Sequence, residues 1–135
     1  MTEQQSASSD MQKMIADSME NGLLDNILDM FKYDKSLYDY LPGLVTDERM
    51  RVRIGTIALI ETLATEDAGN RDKATWALLP LLKSGSPLVA GDAAYILGLI
   101  GNIETIPFLE EIAASEDPDV RTIVQEAVED IRSRH

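Results

Sequence analysis

The chain has 135 residues, a formal net charge of −12, no cysteine and a single histidine, His135. This composition excludes disulfides and thiolate metal sites, and it leaves a histidine base only on the last residue. It also argues against nucleic acid and anionic membrane surfaces, which are bound through Lys and Arg. The length suits one domain with its own core. No run approaches the ~20 apolar residues of a membrane span, and no signal peptide is read.

Helical spacing recurs along the chain, and strand patterns are weak. Residues 1–9 are polar and rich in Ser and Gln, which predicts a disordered leader ahead of one domain over 10–135. Met11, Met14, Ile15 and Met19 form a weak apolar stripe, and Asn21-Gly22 supplies a stop. Leu24, Ile27, Leu28 and Phe31 then follow the i, i+3, i+4, i+7 pattern of an amphipathic helix from about Leu23 to Lys32. Two later segments, Val52 to Ala64 and Val89 to Gly101, are apolar around most of their circumference, so each is expected to be packed on several sides. The last helix opens at Asp117-Pro118, a good N-cap followed by a residue suited to the first turn. Its apolar stripe of Val120, Ile123, Val124, Ala127, Val128 and Ile131 leaves the other side polar. The order of polar-faced, buried and polar-faced helices is that of a short capped stack.

One unit repeats about three times. A first helix carries Leu41-Pro42, Leu79-Pro80 or Ile106-Pro107. A polar turn follows at Thr46-Asp47, Ser84-Gly85-Ser86 or Ser115-Glu116-Asp117. A second helix then starts at Val52, Val89 or Val120, with core positions four, eight and eleven residues later. These are Thr56, Ile60 and Leu63; Ala93, Leu97 and Ile100; Val124, Val128 and Ile131. The starts are 37 (89 − 52) and 31 (120 − 89) residues apart, and the loop Thr65 to Asp72 absorbs the longer interval. Pro107 is expected in a first turn, and Pro42 and Pro80 deeper, where they would kink their helices.

The segment GDAAYILGLIGNIETIPFLEEI, Gly91 to Ile112, resembles the HEAT-like repeats of bilin-lyase-type proteins. Val52-Arg53 and Val120-Arg121 are similar to the opening of that family's second helix. The likeness covers Ser36 to Arg132, strongest over Ala93 to Ile131. It departs at Ala90, where an Arg is expected, and at Ser86, which replaces the turn Asp. Any ladder of Asp–Arg pairs between repeats is thus interrupted in the middle. The resemblance implies an all-α fold, an α-α superhelix of about three helix pairs plus an N-terminal helix, with an interaction surface. Fold alone fixes no chemistry.

No catalytic, metal or cofactor site is read. The His-Glu pairs of metal-dependent hydroxylase relatives are missing. A bilin would need cations for its propionates, for which only Arg53 and Arg121 are well placed. The acidic groups Glu126, Glu129 and Asp130, and Asp25 and Asp29, read as solvated faces or, alternatively, as a cation site. Arg49, Arg51 and Arg53 read as structural partners of Asp47 or Glu48, or as an anion contact. Gly91 and Gly98 suit close helix approach and Gly101 a helix end. Trp76 and Phe108 read as packing residues of the first helices.

With Val89, Ala93, Leu97 and Ile100 in the core, Gly91, Tyr95 and Leu99 project to the other side. Ile54 and Ala58 are their equivalents in the first repeat, and Glu126 and Asp130 in the last. Together these residues predict an inner surface with an apolar middle and an acidic end, and Tyr95 as its anchor. The surface suits another protein, specifically a basic or amphipathic helix, unless Met11 to Phe31 or a second copy covers it. The expectation is therefore a cytoplasmic, non-enzymatic interaction or adaptor module. The alternative is an accessory protein, a lyase or chaperone, for a bilin or other cofactor protein.

Overall fold

The computed structural model describes residues 3–113 and 117–135, with side chains from residue 9 onward. Eight α-helices joined by short 3₁₀ turns account for almost all of these residues, and no strand occurs among them. The chain divides into two compact units, Met1–Asp67 and Ala68–His135.

The first unit contains α1 (Glu3–Glu20), α2 (Leu24–Tyr33), α3 (Leu41–Val45) and α4 (Met50–Glu66). Helix α1 begins at Glu3, so the described part of the expected disordered leader is helical. Ser, Gln and Ala tolerate a helix well enough for the turns anchored by Ile15 and Met19 to propagate backward. Helix α1 ends where Gly22 adopts φ 79°, a left-handed conformation that glycine takes without strain. Gly22 N–H donates to Met19 O at 3.0 Å and Leu23 N–H to Ser18 O at 3.0 Å, the paired bonds of a Schellman cap.

Helix α4 is the hub of this unit. Helices α1, α2 and α3 all pack on it. Val52, Thr56, Leu59, Ile60 and Leu63 are buried against Ile15, Met19, Ile27, Phe31, Leu41 and Leu44 of its neighbours' core. The expected burial of α4 on several sides is therefore met. Gly55 lets α1 approach, since a Cβ there would lie 2.5 Å from Met19 Sδ. Arg49 ties the two helices from outside, donating to Asp17 Oδ1 at 2.8 Å and to Asp47 Oδ1 at 3.0 Å. Phe31 and Tyr38 pack with ring centroids 5.6 Å apart, and the Tyr38 hydroxyl donates to Asp67 Oδ2 at 2.7 Å.

The second unit contains α5 (Arg71–Leu78), α6 (Pro87–Ile100), α7 (Ile106–Ile112) and α8 (Pro118–Ser133). Its main contact is between α6 and α8. Ala93, Ile96, Leu97 and Ile100 are buried with Val120, Val124, Ala127, Val128 and Ile131. The expected second-helix core positions are all buried, and Val89 alone of the three opening valines is half-buried. Asp117 caps α8 as expected, its Oδ1 accepting from Asp119 N–H at 2.9 Å and Val120 N–H at 3.1 Å, with Pro118 in the first turn. Ser115 and Glu116 of that turn lie outside the described residues.

The prolines behave differently from the expectation. Pro42 stands in the first turn of α3, directly after a 3₁₀ turn over Lys35–Tyr40, and Pro80 in the first turn of a 3₁₀ segment, Leu79–Lys83, directly after α5. Each marks a change of helix type instead of a kink within one helix. The missing N–H is harmless at the start of a segment and harmful in its interior. Pro107 takes the expected first-turn position in α7.

Candidate functional site

Gly98 and Gly91 set the geometry of the α6–α8 face. A Cβ on Gly98 would lie 2.8 Å from both Cα and Cβ of Ala127, so the two helices meet almost backbone to backbone there. A Cβ on Gly91 would lie 3.3 Å from Ile123 Cδ1. Toward its N-terminal ends the pair leaves a cleft of about 530 Å³, lined by Leu88, Gly91 and Asp92 on α6 and by Asp119, Thr122 and Ile123 on α8, with Pro87, Asp117 and Val120 at its edges. Leu88 is 68 % exposed and Tyr95 51 % exposed. Seven residues apart, they share one side of α6. Asp119, Glu126 and Asp130 are exposed on α8.

The expected surface residues fall as follows. Tyr95, Glu126 and Asp130 are exposed on the second unit, and Leu99 is half-buried there. Gly91 is buried, because Ile123 closes over it, and it lines the cleft floor without offering a surface. In the first unit Ile54 is 60 % exposed and Ala58 half-buried on α4. Helix α1, packed on α4 at Gly55, leaves Ile54 open to solvent.

Leu88 and Asp92 are the residues that sequence reasoning missed. Reading α6 as starting at Val89 left out its first turn. The missed signal is Ser86-Pro87: Ser86 Oγ accepts from Val89 N–H at 3.3 Å, which makes it the N-cap and places Leu88 inside the helix. Ser86 stands where Asp117 stands in the next repeat, so the exchange keeps the cap.

The other candidates resolve as structural features. Arg53 Nη1 donates to the carbonyls of Asp47 and Glu48 at 2.7 and 2.9 Å, and Arg49 pairs with Asp47 and Asp17. Arg49 holds the Asp17 and Asp47 carboxyls below the usual aspartate range, chiefly through these hydrogen bonds. Trp76 and Phe108 pack edge to face with centroids 5.9 Å apart, each still partly exposed. Gly101 closes α6 in an extended conformation, its N–H donating to Leu97 O at 2.7 Å. Among the described residues no group of three or more His, Asp or Glu side chains is disposed to hold a metal ion. No helix among them is long and apolar enough to cross a membrane.

Paired helices with a buried second helix, recurring after a polar turn, define an all-α helical-repeat protein. The chain belongs to the HEAT-repeat family: a family model described as HEAT repeats matches residues 39–129, more than half of the sequence. No curated protein and no solved structure matches the chain. HEAT repeats commonly act as scaffolds for other proteins.

Proposed function

We propose that this protein is a non-enzymatic interaction module whose second unit binds a basic, amphipathic helix of another protein on the α6–α8 face. The observation that carries the reading is the exposure of Leu88 at a cleft whose α8 side carries Asp117 and Asp119, with Tyr95 exposed two turns further along the same side of α6. Isolated apolar residues on a surface are ordinary. Two large ones on a single helix side, beside a concave floor, supply an anchor and a slot. Asp119, Glu126 and Asp130 lie along α8, four or seven residues apart, as partners for Lys or Arg on the polar side of the incoming helix. The charge of −12 favours encounter with such a partner. A bilin-accessory role gains no comparable support, because Arg53 is engaged by carbonyls of its own turn.

A photo-crosslinking amino acid placed at Tyr95 tests this in the native host, with the same group at exposed Gln125 as control. The expected result is a discrete adduct from position 95, mapped to a Lys- or Arg-rich helical segment, and none from position 125. Equal adducts from both positions, or adducts on acidic segments, would reject the reading.

A further inference from the structure

The C-terminal end of α6 is held by two arginines from distant parts of the second unit. Arg71 Nε donates to Ile100 O at 2.6 Å, and its Nη2 to Leu99 O at 3.1 Å. Arg134 Nη1 donates to Gly98 O at 2.7 Å, and its Nη2 to Gly101 O at 2.8 Å. The last carbonyls of a helix have no intrahelical partner and carry about half a negative charge, so one cation there is well matched. Two full charges exceed what the helix end supplies.

The protein's own acids meet this excess only at a distance. Among the described residues neither Arg71 nor Arg134 has a carboxylate within ion-pair distance, whereas Lys13, Lys32, Lys35, Arg49, Lys83 and Arg132 each do. Burial and the charge of Arg71 both weaken the hold of Arg134 on its proton, and only Asp130 acts against them. The two guanidiniums also line a cleft of about 270 Å³ with Asp72, Ile100, Gly101, Asn102 and His135.

We propose that this cleft is an oxyanion site, in which one carboxylate or phosphate group bridges Arg71 and Arg134. Two N–H groups of each guanidinium are spent on carbonyls, and these bonds fix both planes. The remaining N–H groups are held in place for an incoming oxygen, so little side-chain freedom is lost on binding. Asn102 adds an amide within the same cleft. Asp72 selects against a second negative group on its side. The acidic bulk of the chain does not forbid the site, because at physiological salt charges beyond ~8 Å are screened while the two arginines are in contact range.

The test is a titration of the intact protein followed through its arginine Nε–Hε NMR signals, at constant ionic strength. One arm uses inorganic phosphate, a second a capped Glu-Glu dipeptide, and a third chloride. The expected result is a saturable shift confined to Arg71 and Arg134, with phosphate or the dipeptide and not with chloride. The tighter arm tells a free small anion from a side-chain carboxylate. Arg134→Gln should weaken binding about tenfold, as expected for loss of a charge-assisted bond. Arg132→Gln, which lies near in sequence but pairs with Glu110, should leave binding unchanged. Uniform small shifts at all arginines, or none with either oxyanion, would overturn the proposal. If Arg134→Gln fails to fold, the signals of the unaltered protein still decide.

Discussion

Gly98 and Ala127 approach so closely that any side chain at position 98 would strike the Ala127 backbone, its Cβ falling 2.8 Å from Ala127 Cα. Backbone cannot swing aside as the tip of a flexible side chain can. Gly98→Ala should therefore push α6 and α8 apart and lower stability by roughly 1–3 kcal/mol, the usual range for overpacking. Gly69 has open space where a Cβ would stand and no left-handed φ, so Gly69→Ala should change stability by less than about 0.5 kcal/mol. Urea titration of both variants checks the pair, and equal losses would contradict the close helix approach.

Leu97 is fully buried in α6, while Val128 retains slight exposure in α8, whose far side is polar. Leu97→Ala should cost roughly 2–5 kcal/mol through lost burial and a residual cavity. Val128→Ala removes less apolar volume from a helix free to shift, and should cost about 1–2 kcal/mol. Similar midpoint changes for both would contradict this difference in packing.

Much of this arrangement was legible in the sequence. The spacing of Val120, Val124, Val128 and Ile131, and of Ala93, Leu97 and Ile100, declared which side of each helix is buried, because periodicity is a local signal. Asp117-Pro118 announced the start of α8 for the same reason. Ser86-Pro87 carried an equivalent signal that was passed over, and with it Leu88, the most exposed large residue of the candidate face. The arginine caps of α6 could not be read at all. Arg134 meets Gly98 across 36 residues and Arg71 meets Ile100 across 29, and no local pattern records such contacts. Ile54 was placed on the open side of α4 by its spacing from Val52, but whether Met11 to Phe31 covers it could not be read, since that depends on where α1 crosses α4.

Acid should loosen the first unit through Arg49. The folded pKa values of Asp17 and Asp47 lie below the unfolded value near 4, so their contribution is present above that pH and is lost as pH falls through the folded values. Arg49→Gln should remove this component and flatten the acid limb of a stability–pH profile below about pH 4. An acid limb of unchanged slope would show that the two aspartates do not act through Arg49.

The alkaline limb should depend on Tyr38. Burial, aided by its hydrogen bond to Asp67, raises the phenol above its usual value near 10. The unfolded chain loses this proton first, so stability is whole below about pH 10 and declines as pH rises beyond it. Tyr38→Phe removes that decline, and costs about 1 kcal/mol at neutral pH for the lost hydrogen bond. Thermal melts at pH 7 and above 10 distinguish the variant, and a parallel alkaline decline in both proteins would exclude Tyr38 as its source.

Tyr95→Ala, compared with the unaltered protein in capture from a host lysate, weighs the interaction face most directly. Tyr95 is half exposed and outside the buried core, so the melting temperature should change little. Loss of a central aromatic anchor should reduce a captured partner at least about tenfold. Glu126→Lys should reduce the same partner more at low than at high salt, because exposed charges are screened. If Tyr95→Ala unfolds the second unit, or leaves capture of every partner unchanged, the α6–α8 face is not where this protein binds.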